Sequence, residues 1–352
     1  MKQKILIIRY RFIGDTILTV PFIRNLKELY PDSSIDILVG PQSGQVLENC
    51  PYIDEMIIFD TTRFHKYDSS NEKTKSFFYY LNIIKQKKYD MVFCLKRSLG
   101  AKLLSFLSGA PKRYGYRTSI LDNLFYTKAI PQQDNQNEIL STLEILKLDY
   151  NKNYDPKLEY WLTPSEEAEI IEMVPTLKNN TSIKVLIHAA AAHEDKLYPL
   201  ELFSKVILEL AKNYDIIPFF TGQAIDLPIY QELALKLPFK CINLAGELNL
   251  RQSMALYKHL NLAICTDSGP AHLTRAANIP TLILFGPTNP IRWGPLNNDT
   301  SLSKAIFRND LPCRPCNYHK TCVNRECLTE LDPQLIIEAA QSIINIQNQL
   351  CK

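Results

Sequence analysis

Lys4-Ile5-Leu6-Ile7-Ile8-Arg9-Tyr10-Arg11-Phe12-Ile13-Gly14-Asp15 is the stretch on which the fold class turns. Its short apolar run reads as a buried strand, and the run ends in charged residues and a Gly-Asp turn. A helical pattern follows from about Pro21 to Tyr30, with one proline at its start and Pro31 just past its end. Strand, turn and helix in that order make a βα unit. The pattern then recurs. Ser34 to Val39 is a second strand followed by Gly40-Pro41, while 56–59 and 91–95 read as two more, with helical periodicity over 77–87 and 100–108. Such alternation implies an α/β fold whose parallel sheet is covered on both faces.

Between about 130 and 165 the pattern lapses into Pro, Gln, Asn and Asp, apart from a helix over 138–146. A domain boundary is placed there. Beyond it strands are expected at 184–188, 216–221, 241–244, 262–266 and 281–285, and helices near 199–212, 226–236, 250–258 and 270–278. The apolar spacing over 333–350 reads as an amphipathic helix. The expected domains are therefore 1–160, 161–332 and a closing helix at 333–352. No repeat of 20–50 residues interrupts this organisation.

Composition narrows the function. Glycine is scarce, 11 in 352 residues, less than half the usual ~7%. None of the 11 falls in G-x-G-x-x-G or G-x-x-x-x-G-K-[ST], which argues against a nicotinamide dehydrogenase and a P-loop ATPase. The net charge of +3 hides an asymmetry: residues 1–130 carry +8 and the remainder −5. A basic half favours an anionic partner such as a phosphorylated substrate or a membrane surface, or is simply a solvated face. No apolar run approaches the ~18 residues that span a bilayer. The run Ile5–Ile8 is too short for a signal-peptide core, so a cytoplasmic location is expected.

Several residues have chemistry to offer. Asp15, beyond the first strand, is placed to act as a general base or to cap the following helix. Asp267-Ser268-Gly269-Pro270-Ala271-His272 joins a strand to a helix, where freed amides favour a diphosphate. Simple capping with a buried His272 explains the same residues. Lys196 follows the first strand of the second half and is either a phosphate partner or a surface lysine. Gly222, Gly246, Gly269 and Gly286 sit at strand ends, where open α/β sheets bind ligands. No D-x-D occurs, so nothing supports a paired-aspartate metal site for a sugar nucleotide. Cys313-x₂-Cys316-x₅-Cys322-x₄-Cys327, in a segment with His319, is compatible with structural zinc, disulfides or reduced thiols.

Taken together, the stretch from Lys4 to Pro31, the T-D-S-G-P-A-H-L-T-R-A-A-N-I-P-T-L-I-L-F-G-P-T stretch from Thr266, D-K-L-Y-P around Lys196 and the cysteine-rich segment resemble the lipopolysaccharide heptosyltransferases of glycosyltransferase family 9. The resemblance implies a GT-B fold: two Rossmann-like domains with parallel sheets facing across a cleft, the first for an acceptor and the second for a nucleotide-sugar donor. It implies inverting, metal-independent transfer of heptose from ADP-heptose to an anionic lipopolysaccharide inner-core acceptor at the inner membrane surface, without a further cofactor. Asp15 would be the general base, Lys196 would meet the donor phosphates, and Gly222, Asp267, Ser268, Gly269 and His272 would form the donor site. Arg9, Arg11, Lys96, Arg97, Lys102 and Arg113 are expected to face the acceptor.

This chain departs from the family pattern at Ala189–Ala192, where hydroxyl residues are common, and at Thr221–Asp226, where Asp226 stands in for an expected glutamate near the ribose. Rival readings are a GT-B transferase using another nucleotide sugar and a non-catalytic sugar-nucleotide or glycan-binding protein. A nucleic-acid binder is disfavoured by the acidic second half and the lack of a basic aromatic stripe.

Overall fold

Ile5–Ile8 are wholly buried because β1 (Lys4–Ile8) lies inside a parallel sheet, with β2 (Ser34–Val39) on one side and β4 (Met91–Cys94) on the other. A strand covered on both faces must be apolar throughout rather than alternating. In a computed structural model, which describes residues 2–60, 75–179, 181–296, 302–318, 322 and 324–350, the chain divides into two compact units, Met1–Trp161 and Leu162–Lys352.

The first unit adds β3 (Glu55–Ile58), β5 (Lys112–Arg117) and β6 (Lys128–Pro131), giving the strand order β3-β2-β1-β4-β5-β6. Helices Phe77–Lys87 and Leu99–Leu107 cover one face through Tyr80, Ile84 and Leu104, which pack with Leu6, Ile8, Val92 and Cys94. Phe93, between the last two, points the other way and meets Phe22 of the Val20–Leu29 helix.

The second unit contains β7 (Ile183–His188), β8 (Ile216–Phe220), β9 (Ile242–Asn243), β10 (Leu262–Thr266), β11 (Thr281–Leu284) and β12 (Lys304–Ile306), ordered β12-β11-β10-β7-β8-β9. The Pro333–Leu350 helix packs on Leu200–Asn213 of the same unit, and Gln347 donates to the Asn261 carbonyl.

Both sheets have the doubly wound order of a Rossmann fold. Each therefore has a topological switch point, between β1 and β4 in the first unit and between β7 and β10 in the second. Ligands bind such sheets outside the carboxyl ends of the strands at the switch.

Besides helices of three to five residues, three strands and one longer helix lie outside the expected pattern. β5 reads Lys-Arg-Tyr-Gly-Tyr-Arg and has no aliphatic run; Tyr114 instead stacks on Phe93 at 4.5 Å, and Gly115 is the seat for Tyr126, whose ring lies 2.4 Å from where a Cβ would stand. β6 and β12 are short and flank their sheets. The Pro164–Met173 helix starts on a Thr163–Glu166 capping box, and Glu166 also holds Arg251 at 2.7 Å.

Candidate functional site

At the first switch point, the turn after β1 carries Arg9 into the interior. Its guanidinium donates to the Glu138 carboxylate at 2.9 Å and to the Leu95 carbonyl, and it lies 3.6 Å from the Asp15 carboxylate. Glu138 is fully buried and also receives both terminal nitrogens of Arg97 at 3.2 Å; the Arg97 plane rests 4.2 Å over the Tyr116 ring. Burial works against charge on Arg9, but Asp15 and Glu138 outweigh it and keep Arg9 protonated. Asp15 occupies the first turn of the short Ile13–Ile17 helix and remains partly exposed. Arg11 adopts φ 123° in this turn, a conformation that costs a non-glycine residue strain.

The six expected acceptor cations separate by their partners. Arg9 and Arg97 belong to the Glu138 network. Lys102 is buried against Asp122 at 2.6 Å, and Arg113 spends its guanidinium on the Ala110 and Phe125 carbonyls. Among the described residues, Arg11 and Lys96 make no ion pair. Lys96 lies over the Phe12 ring, and burial among Arg9, Arg11 and Arg97 pulls its ammonium down, with Asp15 opposing. Glu138 was legible in the sequence only as an acid in the first turn of a helix. Nothing in the pattern signals that it joins two arginines from other strand ends.

At the second switch point, Lys196 beyond β7 reaches Asp267 beyond β10. Its ammonium donates to the Asp267 carboxylate at 2.7 Å and to the Asp267 carbonyl at 2.9 Å. Burial disfavours both charges, yet each stabilises the other: Lys196 is held above its ordinary value and Asp267 below. Thr288 donates to the same carboxylate at 2.6 Å, a contact not singled out in the sequence. Asp267 thus anchors Lys196. Immediately after it, the Gly269–Ala276 helix begins with Ser268 in the N-cap position, and the Ser268 hydroxyl bonds back to the Thr266 carbonyl instead of capping. A fixed ammonium beside the uncapped first turn of a helix is a cradle for a phosphate group.

His272, in the first turn, is buried, and its Nδ1 has no hydrogen-bond partner among the described residues. Burial, reinforced by Arg275, lowers its pKa to about 3. It is therefore neutral where an unfolded histidine, titrating near ~6.5, is charged in mild acid. Because its folded value is depressed, its full contribution is present above pH ~6.5 and is lost as pH falls toward 3. Stability is expected to decline by about 3 kcal/mol between pH 7 and 4 from this residue alone. Denaturant titrations of wild type and His272→Gln across that range check it: the variant should show a shallower slope, with buried His188, also lowered, retaining its own share.

The remaining positions frame this site. Gly222 follows β8 and backs onto Asp226, which caps the turn through the Gln223 amide at 2.8 Å, so the Asp226 carboxylate faces its own loop. Gly286 lies where a Cβ would stand 2.6 Å from Leu328, a close approach that seats the cysteine-rich segment. That segment brings Tyr318 onto His193, ring centroids 4.6 Å apart, and within 6.0 Å of the Lys196 ammonium. Tyr318 is a third residue the sequence reading missed. Cys313, Cys316, Cys322 and Cys327 line one cavity of about 270 Å³ with Asp195, Arg314 and Tyr318. All four are free thiols, and burial pushes that of Cys327 up. Among the described residues no three His, Cys, Asp or Glu side chains are placed to hold a metal ion; His319 lies outside them.

Residues 81–327 match the family model of glycosyltransferase family 9 (heptosyltransferase). The chain belongs to glycosyltransferase family 9. It is a glycosyltransferase, and lipopolysaccharide heptosyltransferase 3 of Escherichia coli is 28% identical to it over 86% of this chain and 89% of that protein. Among solved structures, the family 9 glycosyl transferase of Veillonella parvula superposes with a TM-score of 0.81 at 22% identity, covering 97% of this chain and 98% of that one. E. coli heptosyltransferase WaaC, solved with ADP, superposes at 0.73 and 17% identity, covering 97% and 100%. The fold is thus the two-Rossmann GT-B class that the sequence resemblance implied. No helix among the described residues is long and apolar enough to cross a membrane.

Proposed function

We propose that this family 9 member transfers heptose from ADP-heptose to a lipopolysaccharide inner-core acceptor with inversion at the anomeric carbon. The observation that carries the reading is the Lys196–Asp267 pair at the mouth of the Gly269–Ala276 helix. A donor diphosphate set there meets one fixed ammonium and the first-turn amides, so charge developing on departing ADP is stabilised without a metal ion. Gly222 lies on the neighbouring strand end, toward the nucleoside. Asp15 takes the proton of the acceptor hydroxyl as that oxygen attacks the anomeric carbon. The carbon–phosphate oxygen bond breaks in the same displacement, and ADP leaves with the electron pair.

Arg11 and Lys96, lacking carboxylate partners among the described residues, are the acceptor's anion contacts. Arg9 and Arg97 hold the frame through Glu138. The lipid-borne acceptor brings the protein to the inner face of the cytoplasmic membrane as a peripheral enzyme.

The test is transfer itself. Purified protein is given ADP-L-glycero-β-D-manno-heptose and heptose-deficient lipopolysaccharide, alongside a panel of other nucleotide sugars, with chelator present. Mass gain of one heptose on the acceptor, stoichiometric ADP and a product of opposite anomeric configuration are expected. Transfer from a different donor would reassign the sugar. Donor binding without transfer to any core acceptor would return the chain to a binding role.

A further inference from the structure

The first unit exposes large apolar side chains in two neighbouring segments. The turn Ile120–Leu124 leaves Ile120, Leu121 and Leu124 85%, 68% and 66% accessible, and the Leu99–Leu107 helix leaves Leu99 and Phe106 63% and 45% accessible. Leu99 and Phe106 are two turns apart on one helix face. The segments are joined: Lys102 of the helix bonds to Asp122 and Thr118 around the turn, and Phe106 meets Phe125 edge-on at 6.1 Å. Scattered apolar residues need no explanation, whereas three within five residues at a protruding turn beside two more form a patch.

The charged side chains that the turn and its leading strand present beside the patch are basic. The turn's own carboxylate, Asp122, faces inward and is neutralised by Lys102 at 2.6 Å, with further bonds from the Thr118 and Ser119 amides. Arg113 and Arg117 of the Lys112–Arg117 strand, which leads into the turn, lie on the sheet face that the Leu99–Leu107 helix covers, and among the described residues neither pairs with a carboxylate. Arg113 lies over the Phe106 ring, its centre 5.6 Å from the centroid. Apolar side chains projecting past a cationic rim suit a surface that is hydrocarbon below and anionic above. We infer that the Ile120–Leu124 turn and the exposed face of the Leu99–Leu107 helix dock this unit on an anionic lipid bilayer. The inference deepens the reading above and rests on its lipid-borne acceptor for its purpose; the surface itself stands apart from both switch points' polar networks.

Co-sedimentation with phosphatidylcholine vesicles, with and without phosphatidylglycerol, tests it. Wild type should bind the phosphatidylglycerol vesicles, and more weakly as salt is raised. A triple variant, Ile120→Ser, Leu121→Ser and Leu124→Ser, should lose at least roughly tenfold in affinity. Arg117→Gln should lower the preference for phosphatidylglycerol by roughly fivefold. All four residues are exposed, so unchanged thermal melts are expected and checked. Wild type that ignores both vesicle types, or a triple variant that binds as wild type does, overturns the inference. So does a concentration-dependent dimer that the triple variant abolishes, since the patch would then cover a second copy. Transfer to a delipidated, water-soluble core acceptor is measured in parallel. The triple variant should retain it, and its failure in wild type would overturn the proposed transfer without altering the vesicle result.

Discussion

Asp15→Asn is expected to lower turnover by roughly 10²–10⁴-fold, the usual loss when a general base is removed, with donor affinity nearly unchanged. The asymmetry follows from placement. Asp15 belongs to the turn after β1 in the first unit, whereas Lys196, Asp267 and His272 gather on the second. Asparagine preserves the side-chain shape and an oxygen facing Arg9, and Arg9 keeps its buried partner Glu138 at 2.9 Å, so the local frame should survive. Two measurements separate base from scaffold: ADP affinity and thermal melting should both match wild type while kcat collapses. A variant that melts early but turns over normally would make Asp15 only an ion partner of Arg9. The partner experiment is Glu138→Gln, which leaves two arginines sharing one neutral amide; it should fall in stability as well as in rate, because an uncompensated charge is left buried.

How far the sequence could foretell this follows from where the information lies. The βα units were legible because apolar strand, turn and helix succeed one another locally, and Asp15, Lys196 and Asp267 stand at the ends of strands that any parallel sheet must bring to one edge, whereas the strand order that makes the switch points was not. β5 was not legible, because its burial comes from the Tyr114, Tyr116 and Tyr126 rings around Gly115 rather than from an aliphatic run. The Pro164–Met173 helix had a readable start, Thr163-Pro164-Ser165-Glu166, but a body in which four of ten residues are glutamate masks the apolar period. Charge was the least transferable signal. Six cations in the basic half looked alike in sequence, yet Lys102 is consumed by Asp122, Arg113 by backbone carbonyls, and Arg9 and Arg97 by a glutamate about 40 or more residues later. Pairing of that range depends on the tertiary fold, as does the meeting of Tyr318 with His193.

Lys196→Met should reduce turnover by roughly 10²–10³-fold, the scale of losing one preorganised group that stabilises transition-state charge. The substitution also strips Asp267 of its partner. That carboxylate is buried, and breaking a buried pair from one side costs about 3–5 kcal/mol; the lower end applies because Thr288 still donates at 2.6 Å and Lys196 itself is partly exposed. A fall in rate could then reflect a damaged site rather than a missing charge, and the double variant Lys196→Met with Asp267→Asn resolves the two. Asparagine is neutral and can still accept from Thr288, so melting should recover most of the loss while turnover stays low. If the double variant regains turnover as well, the ammonium serves only to neutralise Asp267, and leaving-group charge must be met by the helix amides alone. Should turnover remain depressed and ADP affinity fall with it, Lys196 acts on the diphosphate in the ground state too; a low kcat with unchanged ADP affinity would confine its action to the transition state.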